Sequence, residues 1–194
     1  MAHHVIIIPA LKTNSNLFEF LTRNWFTKSG LTVHVLNVWV TENDFPSMLK
    51  KVIESIDELS RNGDSVSLIG ASGGGNLVIN AFSERLASVN KVINVCGRLR
   101  IGSKNDLDYN TKDKQLKAYI ESIKFFESKE KLFSDSDRKR IMTVRPKFGQ
   151  EFVPNDTIQI EGAINISIPT IEHLLSIFSA LTIFSNRLTN FLKQ

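Results

Sequence analysis

Residues 65–82 read SVSLIGASGGGNLVINAF. An apolar run, Ser65–Gly70, gives way to Ala71, Ser72 and three glycines at 73–75, and a helical pattern follows. The run is short and rich in β-branched residues, which predicts a buried strand. The chain therefore carries one serine at a strand tip, flanked by residues without side chains. Either the backbone needs close approach there or the serine is presented to a reactant.

Gly70-Ala71-Ser72-Gly73-Gly74 fits G-x-S-x-G, placed after a strand and before a helix, where that motif needs to be. In this nucleophile elbow the serine occupies a sharp turn. The flanking glycines are needed because a Cβ would collide with neighbouring backbone. The amide of Gly73, at the helix N-terminus, is placed to donate to a developing oxyanion. Two other readings stay open. One is a plain structural turn. The other is a phosphate-binding loop, although G-x-x-x-x-G-K-[ST] is absent because Asn76 and Leu77 follow the glycines.

Further strands are predicted at Val5–Pro9, Leu31–Trp39, Lys91–Cys96 and Arg140–Arg145, and a last one from Thr157–Ile160 with Ile164–Ile168. Most are β-branched runs without alternation, the mark of strands covered on both faces of a parallel sheet. Helical spacing falls between them, at Leu17–Lys28, Pro46–Ser60, Asn76–Ala87 and Glu172–Leu192. The alternation predicts an α/β fold, a three-layer α/β/α sandwich with about six mostly parallel strands. Gly102–Arg140 breaks the rhythm: it is long and charged, with Leu116, Tyr119, Ile120, Ile123 and Phe126 at helical spacing. A single domain, 1–194, with an insert at 102–140 is the expected organisation.

The composition suits a globular chain of 194 residues, 42% hydrophobic and 23% charged. The net charge of +4 is spread among acids and does not outline a nucleic-acid surface. The one cysteine, Cys96, lies in an apolar run and reads as core, so no disulfide framework is expected. No leader pattern opens the chain, and the longest apolar run, HLLSIFSALTIF, is too short for a membrane span. A soluble cytoplasmic protein of open oligomeric state is the expectation.

A nucleophilic serine needs a base, and histidine is scarce: His3, His4, His34 and His173. The first two precede a strand and the third lies within one. His173 follows a strand and a proline-containing turn, SIPTIEH, and opens the last helix, where a base reaching Ser72 would stand. Arg98 follows the fourth strand and Trp39 ends the second, at the sheet edge that carries Ser72, which makes them candidates for substrate binding.

LIGASGGGN (68–76), IIIPAL (6–11) and FGQEFVPNDTIQIEGAINISIPTIEH (148–173) together resemble small single-domain α/β-hydrolases of the esterase/lipase kind, over most of the chain. The resemblance implies a helical cap-like insert in a minimal α/β-hydrolase fold and a triad in the chain order serine, acid, histidine. It implies catalysis by Ser72 and His173, with the amides of Leu11 and Gly73 as oxyanion hole. The substrate would be a small ester or amide, with no metal and no cofactor. The chain departs from the family at two places. Pro9-Ala10 stands where His-Gly is common, and Gln150 stands where the acid is usual. Glu151 is then the first choice for the acid and Asp156 the second; a serine–histidine dyad is a third arrangement. The rival readings are a weakened or non-catalytic member of the fold that binds a ligand or partner, and a nucleotide-binding α/β protein.

Overall fold

The computed structural model describes residues 1–13, 15–102, 107–148 and 153–194, with the backbone alone at 15, 17, 21, 24 and 25. In chain order the elements are β1 (His3–Ile8), α1 (Ser15–Thr27), β2 (Thr32–Val35), α2 (Val38–Thr41), α3 (Phe45–Ser60), β3 (Ser65–Ala71), α4 (Gly73–Glu84) and β4 (Val89–Val95). There follow α5 (Lys114–Lys129), a 3-10 turn at Glu130–Leu132, α6 (Asp135–Arg138) and β5 (Ile141–Pro146). A 3-10 turn at Asn155–Thr157, β6 (Ile164–Ile168), α7 (His173–Leu181) and α8 (Ser185–Leu192) complete the described elements.

The strands form one sheet in the order β2-β1-β3-β4-β5-β6, and every pair is parallel. Parallel neighbours need crossovers, and the helices supply them on both faces. Alternate residues of β1 go to opposite sides. Ile6 and Ile8 join a core with α3, α4 and Phe126 of α5. Val5 and Ile7 join a second core with α1, α7 and α8. This two-sided burial is why the strands read as continuous apolar runs. Each fully buried Val, Leu or Ile contributes roughly 1.5–3 kcal/mol of transfer free energy.

Local signals explain the helix positions. Asp44 caps α3 by accepting from the Ser47 amide at 2.9 Å, and Pro46 sits in the first turn. The stripe Met48, Leu49, Val52 and Ile56 is buried against the sheet. Asp113 caps α5, accepting from the amides of Gln115 and Leu116 at 2.9 and 3.3 Å.

Element ends shift by up to three residues elsewhere, and three expectations differ by more. The second strand stops at Val35, and Val38–Thr41 coils into a short helix that buries Trp39. Thr157–Ile160 adds no strand: Thr157 closes a 3-10 turn, and Ile158 and Ile160 reach the core from irregular backbone. The single helix expected over 172–192 is broken at Thr182, where φ −119° and ψ −83° leave the helical region. None of the described helices is long and apolar enough to cross a membrane.

Candidate active site

Ser72 lies between the end of β3 and the start of α4, at φ 50° and ψ −122°. A non-glycine residue at positive φ is costly and persists only where its surroundings hold it. Here the Ser72 amide donates to the Val95 carbonyl at 2.8 Å, and its carbonyl accepts from the Gly75 amide at 2.8 Å. The glycines two positions either side have a steric reason. A Cβ on Gly70 would lie 2.2 Å from the Gly74 carbonyl oxygen, and one on Gly74 would lie 2.3 Å from that of Ile8. Such contacts would push the turn off the sheet, so the motif residues are required by packing and the serine is left at the sheet's carboxyl edge.

Gly73 begins α4, where unpaired amides and the helix dipole favour negative charge. The side chains of Leu11, Trp39 and Tyr119 close round it: a Cβ there would meet them at 2.9, 3.2 and 3.5 Å. Leu11 belongs to the turn after β1, in which Thr13 N–H donates to the Ala10 carbonyl. Trp39 is 1% exposed, and its indole N–H donates to the Pro9 carbonyl at 3.1 Å. It thus packs behind Gly73 and anchors the loop that carries Leu11. The expectation that Trp39 contacts substrate is corrected by this burial.

His173 is the first residue of α7, capped by Glu172, which accepts from the Leu174 and Leu175 amides at 2.9 and 2.7 Å. Its Nε2 is 2.9 Å from Ser72 Oγ, across 101 residues of chain. Burial pushes the imidazole below its ordinary value of 6.5, against a smaller opposing pull from the Glu172 carboxylate. The position at a helix N-terminus also disfavours the cation. A neutral imidazole near pH 7 can accept the serine proton at Nε2.

A cavity of about 280 Å³ opens on this pair. Besides Ser72, Gly73 and His173, its walls include Leu11, Arg98 and Val153, and Leu107, Leu116 and Tyr119 from the insert. Arg98 is 2% exposed; its Nε donates to the Arg100 carbonyl at 3.0 Å and its Nη2 to that of Ile101. The insert is moored to the site at two points. Lys12 Nζ pairs with Asp113 at 2.6 Å, and Gln115 Nε2 donates to the Trp39 carbonyl at 2.6 Å.

Of the carboxylates expected beside His173, Glu151 lies outside the described residues, as does Gln150. Asp156 is exposed on its 3-10 turn, with its carboxylate beside Gly102, and is not brought to the imidazole. Ser72, His173, Leu11, Gly73 and Arg98 do meet at one cavity. Sequence reading missed Leu107 and Val153 and left Leu116 and Tyr119 as members of an amphipathic stripe. It also missed Asn94. That side chain donates to the Gly97 carbonyl at 2.8 Å and accepts from its amide at 3.1 Å, fixing the bend that turns Arg98 toward the cavity. Cys96, in the same bend, is buried, and burial pushes its thiol up to about 12.

No family model and no curated protein matches this sequence. Solved structures do. Est1E of Butyrivibrio proteoclasticus superposes with a TM-score of 0.68 at 13% identity, covering 98% of this chain and 87% of its own. A lipase-esterase related protein of Clostridium acetobutylicum gives 0.62 at 14%, covering 97% and 94%. A monoacylglycerol lipase of Paleococcus ferrophilus gives 0.60 at 15%, covering 97% and 93%. The all-parallel sheet, its flanking helices and these near full-length matches give the chain the α/β-hydrolase fold.

Proposed function

We propose that this protein is a serine hydrolase that cleaves a small carboxylic ester, or the corresponding amide, through an acyl-enzyme on Ser72. One observation carries the reading: His173 Nε2 lies 2.9 Å from the hydroxyl of a serine held at positive φ in a strand-to-helix turn. Ser72 Oγ attacks the carbonyl carbon as His173 Nε2 takes its proton. The oxyanion is stabilised by the amides of Gly73 and Leu11. The tetrahedral adduct collapses, and His173 returns the proton to the departing alkoxide. Water then attacks the acyl-enzyme with the same histidine as base, releasing the acid and restoring Ser72.

Glu151 is the residue assigned to orient His173, ahead of Asp156, whose exposed position speaks against it. The insert, with Leu107, Leu116 and Tyr119 on the cavity, shapes access to it. Arg98 in the same wall is the candidate for holding a polar substrate group. The whole chain works as one domain, in the cytoplasm.

A fluorophosphonate probe tests the reading by intact mass. The expected result is one adduct on the wild type and none on Ser72→Ala. A folded wild type that takes no adduct defeats it. That outcome leaves the second reading, a non-catalytic protein of this fold that binds a ligand in the same cavity. Gln150 at the usual acid position and Pro9-Ala10 in place of His-Gly favour this second reading.

A further inference from the structure

Helix α7 has its faces exchanged. Its buried side carries Ser176 and Ser179, 0% and 4% exposed, beside Ile177, Ala180 and Leu181. Its solvent side carries Leu174, Leu175 and Phe178, 67%, 50% and 45% exposed. A surface helix ordinarily buries its apolar stripe and wets its polar one. This helix cannot rotate to restore that order. Its first residue, His173, holds Ser72 Oγ at 2.9 Å, and Ser176 Oγ is hydrogen-bonded to Thr170 Oγ1 at 2.7 Å. The apolar stripe also runs past both ends of the helix: Ile171 before it is 69% exposed and Ile183 after it 66%. Alongside, between α7 and α1, lies an apolar hollow of about 450 Å³ walled by Phe18, Thr22, Leu174 and Phe178. Apolar surface gathered on one face in this way marks a place where something docks.

Four properties of the face say what covers it. It is free of charge: α7 contains no Asp, Glu, Lys or Arg, and none is among the described walls of the hollow. A face of one sign would repel its own copy, and this one does not. It is self-complementary in shape. The ridge of Leu174, Leu175 and Phe178 stands beside a hollow that takes side chains of that size, so each copy can place its ridge in the other's hollow, as a two-fold interface requires. It is large enough. The five exposed side chains present on the order of 500 Å², which with a polar rim approaches the roughly 800 Å² that a standard interface takes from each partner. Its two ends differ in sign: Glu172 caps the amino end of α7, and Arg187 stands beyond the carboxyl end, over the Phe184 ring at 5.4 Å. Two α7 helices laid antiparallel bring the Glu172 end of one to the Arg187 end of the other, with their dipoles opposed. A layer of headgroups of one sign would match only one of those ends.

We infer that two copies of this chain pair through α7, antiparallel, about a two-fold axis that passes close to Phe178. The face shares no residue with the Ser72 cavity, so the inference stands apart from the hydrolase reading.

Sedimentation equilibrium at micromolar concentrations tests it. The wild type is expected at twice its 21.9 kDa chain mass. Phe178→Asp and Phe178→Lys each set like charges against each other across the axis. Each alone is expected to sediment as a monomer, its association weakened about a hundred-fold or more. Mixed in equal amounts, the two are expected to recover the dimer, because opposite charges then meet. Recovery shows that both variants are folded and that position 178 faces its own copy. Ile183→Asp, at the edge of the face, is expected to weaken association by a smaller factor, about ten-fold. A monomeric wild type overturns the inference. So does a dimer that survives Phe178→Asp or is indifferent to Ile183→Asp, or a mixture of the two Phe178 variants that stays monomeric. A monomeric wild type that sediments with phosphatidylglycerol vesicles, where Phe178→Asp does not, overturns it in favour of a lipid surface.

Discussion

Strand β3 carries a serine–histidine hydrogen bond toward each end, and the two have the same length. At the carboxyl end His173 Nε2 is 2.9 Å from Ser72 Oγ; nearer the amino end His3 Nε2 is 2.9 Å from Ser67 Oγ. Only the first has the surroundings of a nucleophile. Ser67 is 0% exposed within β3, paired with Val5 of β1, and no carbonyl carbon can reach it. Ser72 stands at positive φ beside a helix N-terminus and lines a cavity. Both imidazoles are pushed below 6.5, each chiefly by burial, so basicity does not separate them either. What separates them is the elbow: a serine held at positive φ at the start of a helix, with its hydroxyl on a cavity.

Substitution at the two serines breaks the comparison most sharply. Ser72→Ala is expected to lower kcat/KM on a short acyl ester by about ten-thousand-fold or more, and Ser67→Ala to leave it within about two-fold. The histidines should divide in the same way. His173→Ala loses activity on the scale of the Ser72 change, because nucleophile and base act as a unit. His3→Ala leaves turnover near wild type but strands a buried hydroxyl, a loss of about 1–3 kcal/mol in urea unfolding. Gly74→Ala tests the elbow itself. With a Cβ 2.3 Å from the Ile8 carbonyl, the variant should lose about 1–3 kcal/mol or more, and Ser72 labelling should slow even in the folded fraction.

The smallest effect separates the two sites by pH. At the carboxyl end the base must be neutral, so kcat/KM should fall as pH drops through the His173 value, with a midpoint below 6.5. At the amino end the lowered His3 and His34 values govern stability. His3 is shifted first by burial and then by His4, as is His34, while Glu58 pulls His34 back. The unfolded chain binds protons that the folded chain refuses, so stability is full above about 6.5 and is lost as pH falls through the lowered folded values. In His3→Ala the stability curve should flatten in that window while the activity limb stays in place.

Much of this was legible in the residues. Six β-branched runs separated by helical spacing gave the parallel sheet, and G-x-S-x-G after one of them gave the elbow. His173 could be picked out because it alone follows a strand end and opens a helix. The boundaries failed where the local pattern carries no stop. The apolar spacing of 172–192 runs unbroken through Thr182 and Ile183, with neither proline nor glycine, yet the chain turns there. Leu31–Trp39 holds neither proline nor glycine, and Asn37, which precedes the helix, is a weak mark of where extended chain becomes helix. Trp39 was placed at the right edge, but sequence position does not say whether a ring faces the cavity or the core, and it packs in the core. Tyr119 and Leu116 could not be assigned to the cavity, since only the packing of α5 on α4 brings them there.

The separation of 101 positions from Ser72 to His173 also sets when the site can exist. The elbow around Ser72 is completed within the first half of the chain, by the Val95 carbonyl and the Ile8 backbone. His173 arrives only after β5 and β6 have been added to the sheet's edge and α7 has folded back over it. Closing so long a loop is slow compared with forming helices. During refolding, helical circular dichroism should therefore return ahead of phosphonate reactivity. Reactivity then serves as a clock for the last strand to join.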